Sequence, residues 1–330
     1  MRFILRLAVV LVVLWCGWWA LASWGLHRGL TQAIATREGD GWRADVQQAG
    51  FPLRLRSELR DIVLTGPTPD LRVTAEQLAI SAPTYWPGFI TADLPEAPVR
   101  ISTPAGEVIL ELSEGDAGLD VSPGMALELA HLRLRSGTWR LRLQDQALFS
   151  GDAIALQVNA DAQSAARYLA DFSAENLSLG DSLRAALALP ADWPEAFDRF
   201  TADLAVIFDK PLDRFAGEQP SPQPRRLALN GLDLAWGEIA LSAKGALDID
   251  ATGVPEGRIE VQLKNWRTVL DLAQNAGALP DQARRQANFM LGALASRAGA
   301  PEDLDLTLNF TSGRLALSGI DLGPAPRIGN

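Results

Sequence analysis

The sequence predicts a mainly β (α+β) protein: an N-terminal transmembrane helix followed by an extended, twisted antiparallel β-meander or groove with a few packed helices. Three observations predict it. An uncharged apolar run lies near the start, strict period-two alternation fills most of the remainder, and strong helical periodicity is confined to residues 266–297.

The apolar run is bounded by Leu7 and Leu26 and reads LAVVLVVLWCGWWALASWGL, 20 residues without a charge. At ~1.5 Å per residue such a helix spans ~30 Å, the thickness of a bilayer's hydrocarbon core. Arg2 and Arg6 precede the run, and the residues after Arg28 turn acidic. That asymmetry keeps the N-terminus in the cytoplasm and sends the bulk of the chain into the periplasm. Trp15, Trp18, Trp19 and Trp24 crowd the distal half, where interfacial aromatics anchor a span. Ala20-Leu21-Ala22 also fits a signal-peptidase site, so cleavage after Ala22 is the alternative. The bulky Trp18 and Trp19 before that site, and the apolar run beyond it, favour a retained anchor.

Residues 27–40 read as a short helix ended at Gly39. From Gly41 the period becomes two. Alternating runs follow at 42–46, 53–57, 71–80, 99–102, 107–112, 118–121, 126–135, 138–143 and 147–159, separated by turn residues. Residues 161–170 (DAQSAARYLA) predict a short helix, 174–179 a strand, 183–189 a strand, and 193–200 a helical turn begun by Pro194. Alternation resumes at 201–208. GEQPSPQP at 217–224 reads as a linker, followed by strands at 226–236, 238–248 and 257–263. Helices are predicted at 266–275 and 281–297, with Leu270, Leu272, Phe289, Met290, Leu291 and Leu294 on their apolar faces. A closing hairpin, 304–310 and 314–320, turns at Ser312-Gly313.

Four parts result: 1–28, a membrane anchor or signal peptide; 29–216, a β-rich exported region; 217–225, a proline-rich linker; and 226–330, a β-rich region with the helices and the C-terminal hairpin. Strand-turn-strand units such as LNGLDLAWGEIALSAKG and LNFTSGRLALSG repeat loosely, without a fixed period.

Composition narrows the function. The only cysteine, Cys16, lies in the apolar run, so the exported part forms no disulfide and no cysteine-metal site. A net charge of −10 argues against nucleic acid as a partner. Gly180-Asp181-Ser182-Leu183 spells a lipase nucleophile motif, but the only histidines, His27 and His131, lie upstream, and no base is in place to activate the serine. Acidic residues at 248, 250, 256, 303 and 305 alternate as a solvated sheet face does, rather than as a calcium loop. No phosphate-binding glycine loop is present. The expectation is therefore a protein that is not an enzyme, with no catalytic residues, metal or cofactor.

GWRADVQQAGFPLRL with its Gly-Phe-Pro break, LAISAPTYWPGFI, and RIEVQLKNWRTVLDLAQNAGAL before a closing hairpin resemble the bacterial envelope family known as domain of unknown function 2125. More remotely, the anchor-plus-meander plan resembles AsmA-like envelope proteins. That resemblance implies twisted sheets whose grooves handle lipid.

HLRLRSGTWRLRL carries the one local oddity. A two-residue turn at Ser136-Gly137 would set Leu134 against Trp139 and Arg133 against Arg140, with Arg135 and Arg142 nearby. Like charges directly opposite destabilise a sheet by up to ~1 kcal/mol. Either acidic neighbours such as Glu111 or Glu128 offset this, or the four arginines form a stripe for anionic headgroups. Two functions stand: a lipid-handling β-groove scaffold in envelope biogenesis, with phospholipid as partner, or a structural or assembly factor working through envelope proteins at the inner membrane. They part on whether the sheet's apolar face stays open as a groove or closes as a sandwich core.

Overall fold

Alternation of apolar and polar side chains becomes a set of antiparallel ladders in the computed structural model. It describes residues 41–49, 54–65, 71–86, 88–104, 106–190, 192–216, 220–298 and 301–328, with isolated helical positions at 24, 28, 31 and 35. The predicted span lies outside the described residues apart from Trp24. Among the described residues no helix is long and apolar enough to cross a membrane. Two compact units are present: Met1–Pro123 with Arg133–Asp145, and Gly124–Leu132 with Gln146–Asn330.

The first unit holds β1 (Arg43–Ala49), β2 (Arg54–Thr65), β3 (Arg72–Pro83), β4 (Phe89–Asp93), β5 (Val99–Thr103), β6 (Gly106–Leu112) and β7 (Asp116–Val121). β8 (Leu129–Ser136) ends in it, and β9 (Trp139–Leu143) completes it. β3 forks the sheet: Arg72–Thr74 pairs with β5, and Ala79–Ser81 pairs with β4. Through β5 the ladder continues to β6 and β9, aligning Ile101, Val108 and Leu143, then Val99, Leu110 and Leu141. Leu55, Leu59, Ile62 and Ala82 are its buried apolar residues. β4, in the stretch YWPGFITAD, has no counterpart among the predicted strands.

The second unit contains β10 (Gln146–Gly151), β11 (Ala153–Asp161), β12 (Ser164–Glu175), β13 (Ser178–Leu179), β14 (Arg199–Phe208), β15 (Pro224–Trp236), β16 (Ile239–Ile249), β17 (Pro255–Lys264), β18 (Asp303–Thr311), β19 (Arg314–Leu317) and β20 (Ile320–Pro324). Three helices join them: α1 (Asp181–Ala186), α2 (Trp266–Asn275) and α3 (Asp281–Ala298). The main ladder runs β11, β12, β14, β15, β16, β17, β18, β19, β20, every pair antiparallel.

Several expectations are corrected. Residues 161–170 are not a helix: Ala162-Gln163 make a turn and β12 follows. Alanine-rich sequence favours helix locally, but Tyr168, Ala170 and Phe172 pair on one face with both β11 and β14, and that burial overrides propensity. Residues 183–189 begin inside α1 rather than a strand. The segment 193–200 is no helical turn before it enters β14 at Arg199. Arg184 of α1 ties down its carbonyls instead, donating to Trp193 at 3.2 Å and Pro194 at 3.0 Å. Of the proline-rich stretch, the described residues 220–223 lie between β14 and β15, which pair with each other, and Gln223 exchanges hydrogen bonds with the backbone and side chain of Asp209; the linker expectation itself is neither corrected nor met by this. Gly137-Thr138 form a bend, not a two-residue turn: Gly137 N–H donates to Ser113, and Ser113 N–H donates to Thr138.

α2 and α3 match their predicted spans closely. Trp266 is the anchor, buried with Ala295 and Leu304, and half-buried Leu263, Leu270, Leu291, Leu294 and Leu306 pack against them. Its indole N–H donates to the Pro301 carbonyl at 3.1 Å. Phe289 and Met290 depart from expectation: they point outward, 79 % and 41 % exposed.

Candidate functional site

Register decides which side chains share a face, and in the second unit it collects the apolar ones. Directly paired residues project from the same side of a sheet. One row runs Leu156, Phe172, Ala202, Leu232, Ala243, Val261, Leu306 across β11 to β18. Its neighbours are Val158, Ala170 and Leu204 on one side, and Phe200, Leu234, Leu241, Leu263 and Leu304 on the other. No charged residue interrupts these rows. Strands sit ~4.8 Å apart, so a face from β11 to β18 extends ~30 Å across the strands.

Both ends of the face are closed. At one end Trp236 and Ile239 are buried; Phe197 stacks on Trp236 at 4.7 Å, Trp193 meets it edge-on at 5.5 Å, and α2 and α3 cover Leu263 and Leu304. At the other, Leu247, Ile249 and Phe310 are buried, as is Tyr168, whose hydroxyl accepts the Leu212 N–H at 2.8 Å. Burial pushes the Tyr168 phenol above its ordinary range, against the lowering effect of that hydrogen bond. Between these plugs Leu156, Phe172, Leu204, Leu229, Leu232, Leu241, Val261 and Leu308 are only half-buried.

The opposite face is polar. Asp171, Asp203, Asp233, Ser242, Lys244, Glu260, Gln262 and Asp305 occupy it, and a concavity of about 380 Å³ lies there, lined by residues of β15 to β18. Its carboxylates are spread over several strands, and among the described residues no group of His, Cys, Asp and Glu could hold a metal ion. Of the acidic positions singled out in the sequence, Asp248 pairs with Arg226 at 2.8 Å. Asp250 accepts the N–H groups of Thr252 at 2.7 Å and Val254 at 2.9 Å. Those hydrogen bonds, Val254 foremost, hold the Asp250 carboxyl below the usual aspartate range. Ser182 lies in the first turn of α1, its hydroxyl 3.4 Å from the Ala147 carbonyl. His131 is 2.5 Å from the Asn159 side-chain oxygen.

The arginine stripe is placed among acids of the first unit. Arg140 stands directly opposite Glu111 in the β6–β9 ladder and pairs with it at 3.5 Å; Arg142 shares that carboxylate at 3.6 Å and reaches Asp145 at 3.7 Å. Arg133 pairs with Asp116 at 3.2 Å. Arg135 is exposed and makes no ion pair among the described residues. Three of the four charges are thus balanced by neighbours, with Glu111 the acid foreseen and Asp116 one that was not. Of the anchor positions, Leu7, Trp15, Trp18, Trp19 and Leu26 lie outside the described residues. Trp24 is helical and exposed, with the Arg28 guanidinium 4.9 Å from its ring centre.

A family model described as an uncharacterized protein conserved in bacteria (DUF2125) matches residues 19–326. The chain belongs to that family. Among curated proteins none matches it. In this DUF2125 protein the sequence signal for the apolar face was its alternation. The continuity of that face was not visible, because β15 breaks phase at Asn230-Gly231 and the ladder absorbs the break.

Proposed function

We propose that this is a non-enzymatic, membrane-anchored protein of the bacterial envelope whose second unit carries lipid acyl chains on the apolar face of its sheet. One observation supports the reading most: rows of apolar side chains continue over seven strands, closed at both ends and half-buried between. An antiparallel sheet must cover an apolar face with something. Each acyl methylene moved from water onto such a surface contributes about 0.8 kcal/mol, enough for a long chain to bind without any polar contact. The N-terminal apolar run would tether the chain where phospholipid is abundant.

The test is native mass spectrometry of the full chain purified from membranes. Co-purifying phospholipid, lost in a Leu232→Asp variant that keeps its β-type circular dichroism, is the expected result. A lipid-free protein that also takes up no fluorescent phospholipid removes the reading. The envelope-assembly role through protein contacts would then be the better account.

A further inference from the structure

α3 packs on the sheet through Leu291, Leu294 and Ala295 and turns a second face outward. With 3.6 residues per turn, that outward stripe is Gln282, Arg285, Gln286, Phe289, Ala293 and Ser296, and every one of them is exposed. Phe289, 79 % exposed in the middle of the helix, and Met290 beside it, 41 % exposed, form an adjacent apolar pair on the outside of α3 that suits a surface to meet. The charge pattern says which surface. The whole chain has 40 acidic residues and a net charge of −10, yet this stripe bears no acid and one arginine. Of the nearest acids, Asp271 is paired with Arg284, and Asp281, one turn before Arg285, accepts from Gln274 at 2.7 Å and keeps its charge. At the tip of the α2–α3 hairpin, residues 276–278 and Pro280 are exposed, small or apolar, and uncharged.

We propose that the outward face of α3 docks on an anionic lipid surface, with Phe289 among the upper acyl segments and Arg285 at the phosphates. An aromatic tip with a basic neighbour is the chemistry that settles at a lipid–water interface. The apolar run 7–26, as an anchor, would keep the chain at a bilayer. This rests on the membrane-tethered reading above and extends it: the helices that close one end of the apolar face would then stand at the lipid surface from which acyl chains enter.

The experiment uses the full chain in vesicles of phosphatidylethanolamine and phosphatidylglycerol. Cys16 is the only cysteine, so Cys16→Ser with Phe289→Cys gives one site for a nitroxide label. The measurement is electron paramagnetic resonance accessibility to oxygen against a water-soluble nickel chelate. Expected is a shift toward oxygen at position 289 relative to a Lys244→Cys label on the polar face, reduced by Arg285→Glu. Equal nickel access at both positions overturns the proposal. So does a label shielded from both reagents, which would mean that a protein or a second copy covers α3. Phospholipid co-purification is scored on the same purified chain before reconstitution, so failed docking with lipid bound at that stage overturns this inference alone.

Discussion

Leu229 and Leu232 lie three residues apart in β15 yet project from the same face. Leu229 pairs with Gly245 and Leu232 with Ala243, so three steps on β15 match two on β16. The same extra residue appears against β14, where Leu204 faces Leu229 and Asp203 faces Gly231. This is a β-bulge, and it keeps Leu227 and Leu229 in the apolar row with Leu232 and Leu234. Deleting Asn230 would remove the extra residue and restore plain alternation with all four leucines still on one face. The expected result is a cooperative unfolding transition that is retained; its loss on deletion would contradict the register.

Gly257 on β17 has φ +142°, and a Cβ there would lie 2.2 Å from the Ala246 carbonyl oxygen. Gly245 across the ladder is similar, 2.3 Å from the Arg258 oxygen. The two strands approach where no side chain fits. Gly257→Ala should therefore destabilise by on the order of 2–3 kcal/mol, read by denaturant unfolding. An alanine tolerated without cost would mean that the strands are further apart.

Much of this architecture was legible, and particular residues show where legibility ended. The spans of α2 and α3 follow from Trp266, Leu270, Leu291 and Leu294 at helical spacing, and the strands of the C-terminal third follow from alternation. Residues 161–170 misled because alanine is at home in either state, and only Tyr168 and Phe172 meeting Val206 and Ala202 across β14 decide it. The Ser136-Gly137 pair had turn chemistry, but Ser113 on a distant stretch takes its hydrogen bonds. Arg140 found Glu111 as expected. Phe289 looked like core because a helical period alone does not say which of two apolar stripes faces the sheet.

Tyr168 should titrate late. Its folded pKa is raised, so the stability it adds is fully present below the ordinary tyrosine value of 10.0 and is lost as pH rises from there through the folded value. Tyr168→Phe leaves the Leu212 N–H without its acceptor and should cost about 1–2 kcal/mol. It should also remove a late phenol step, above the ordinary tyrosine value, from an ultraviolet titration. A Tyr168→Phe protein that keeps the late step would contradict the assignment.

Asp250 behaves in the opposite sense. Its folded pKa is lowered, so its contribution is present above the ordinary aspartate value of 3.8 and is lost as pH falls through the folded value. The Thr252 and Val254 amide resonances should move in that acid range, and Asp250→Ala should abolish the movement. Movement centred at or above the ordinary aspartate value would refute the hydrogen-bonded turn.

The central claim, that the apolar face holds acyl chains, is tested most directly by photocrosslinking in membranes at two adjacent positions. Leu232 sits in the apolar row and Asp233 on the polar face, one residue apart on β15. With a benzophenone amino acid at each, mass spectrometry should find phospholipid adducts at position 232 and none at position 233. No adduct at 232, or equal adducts at both, would contradict the account.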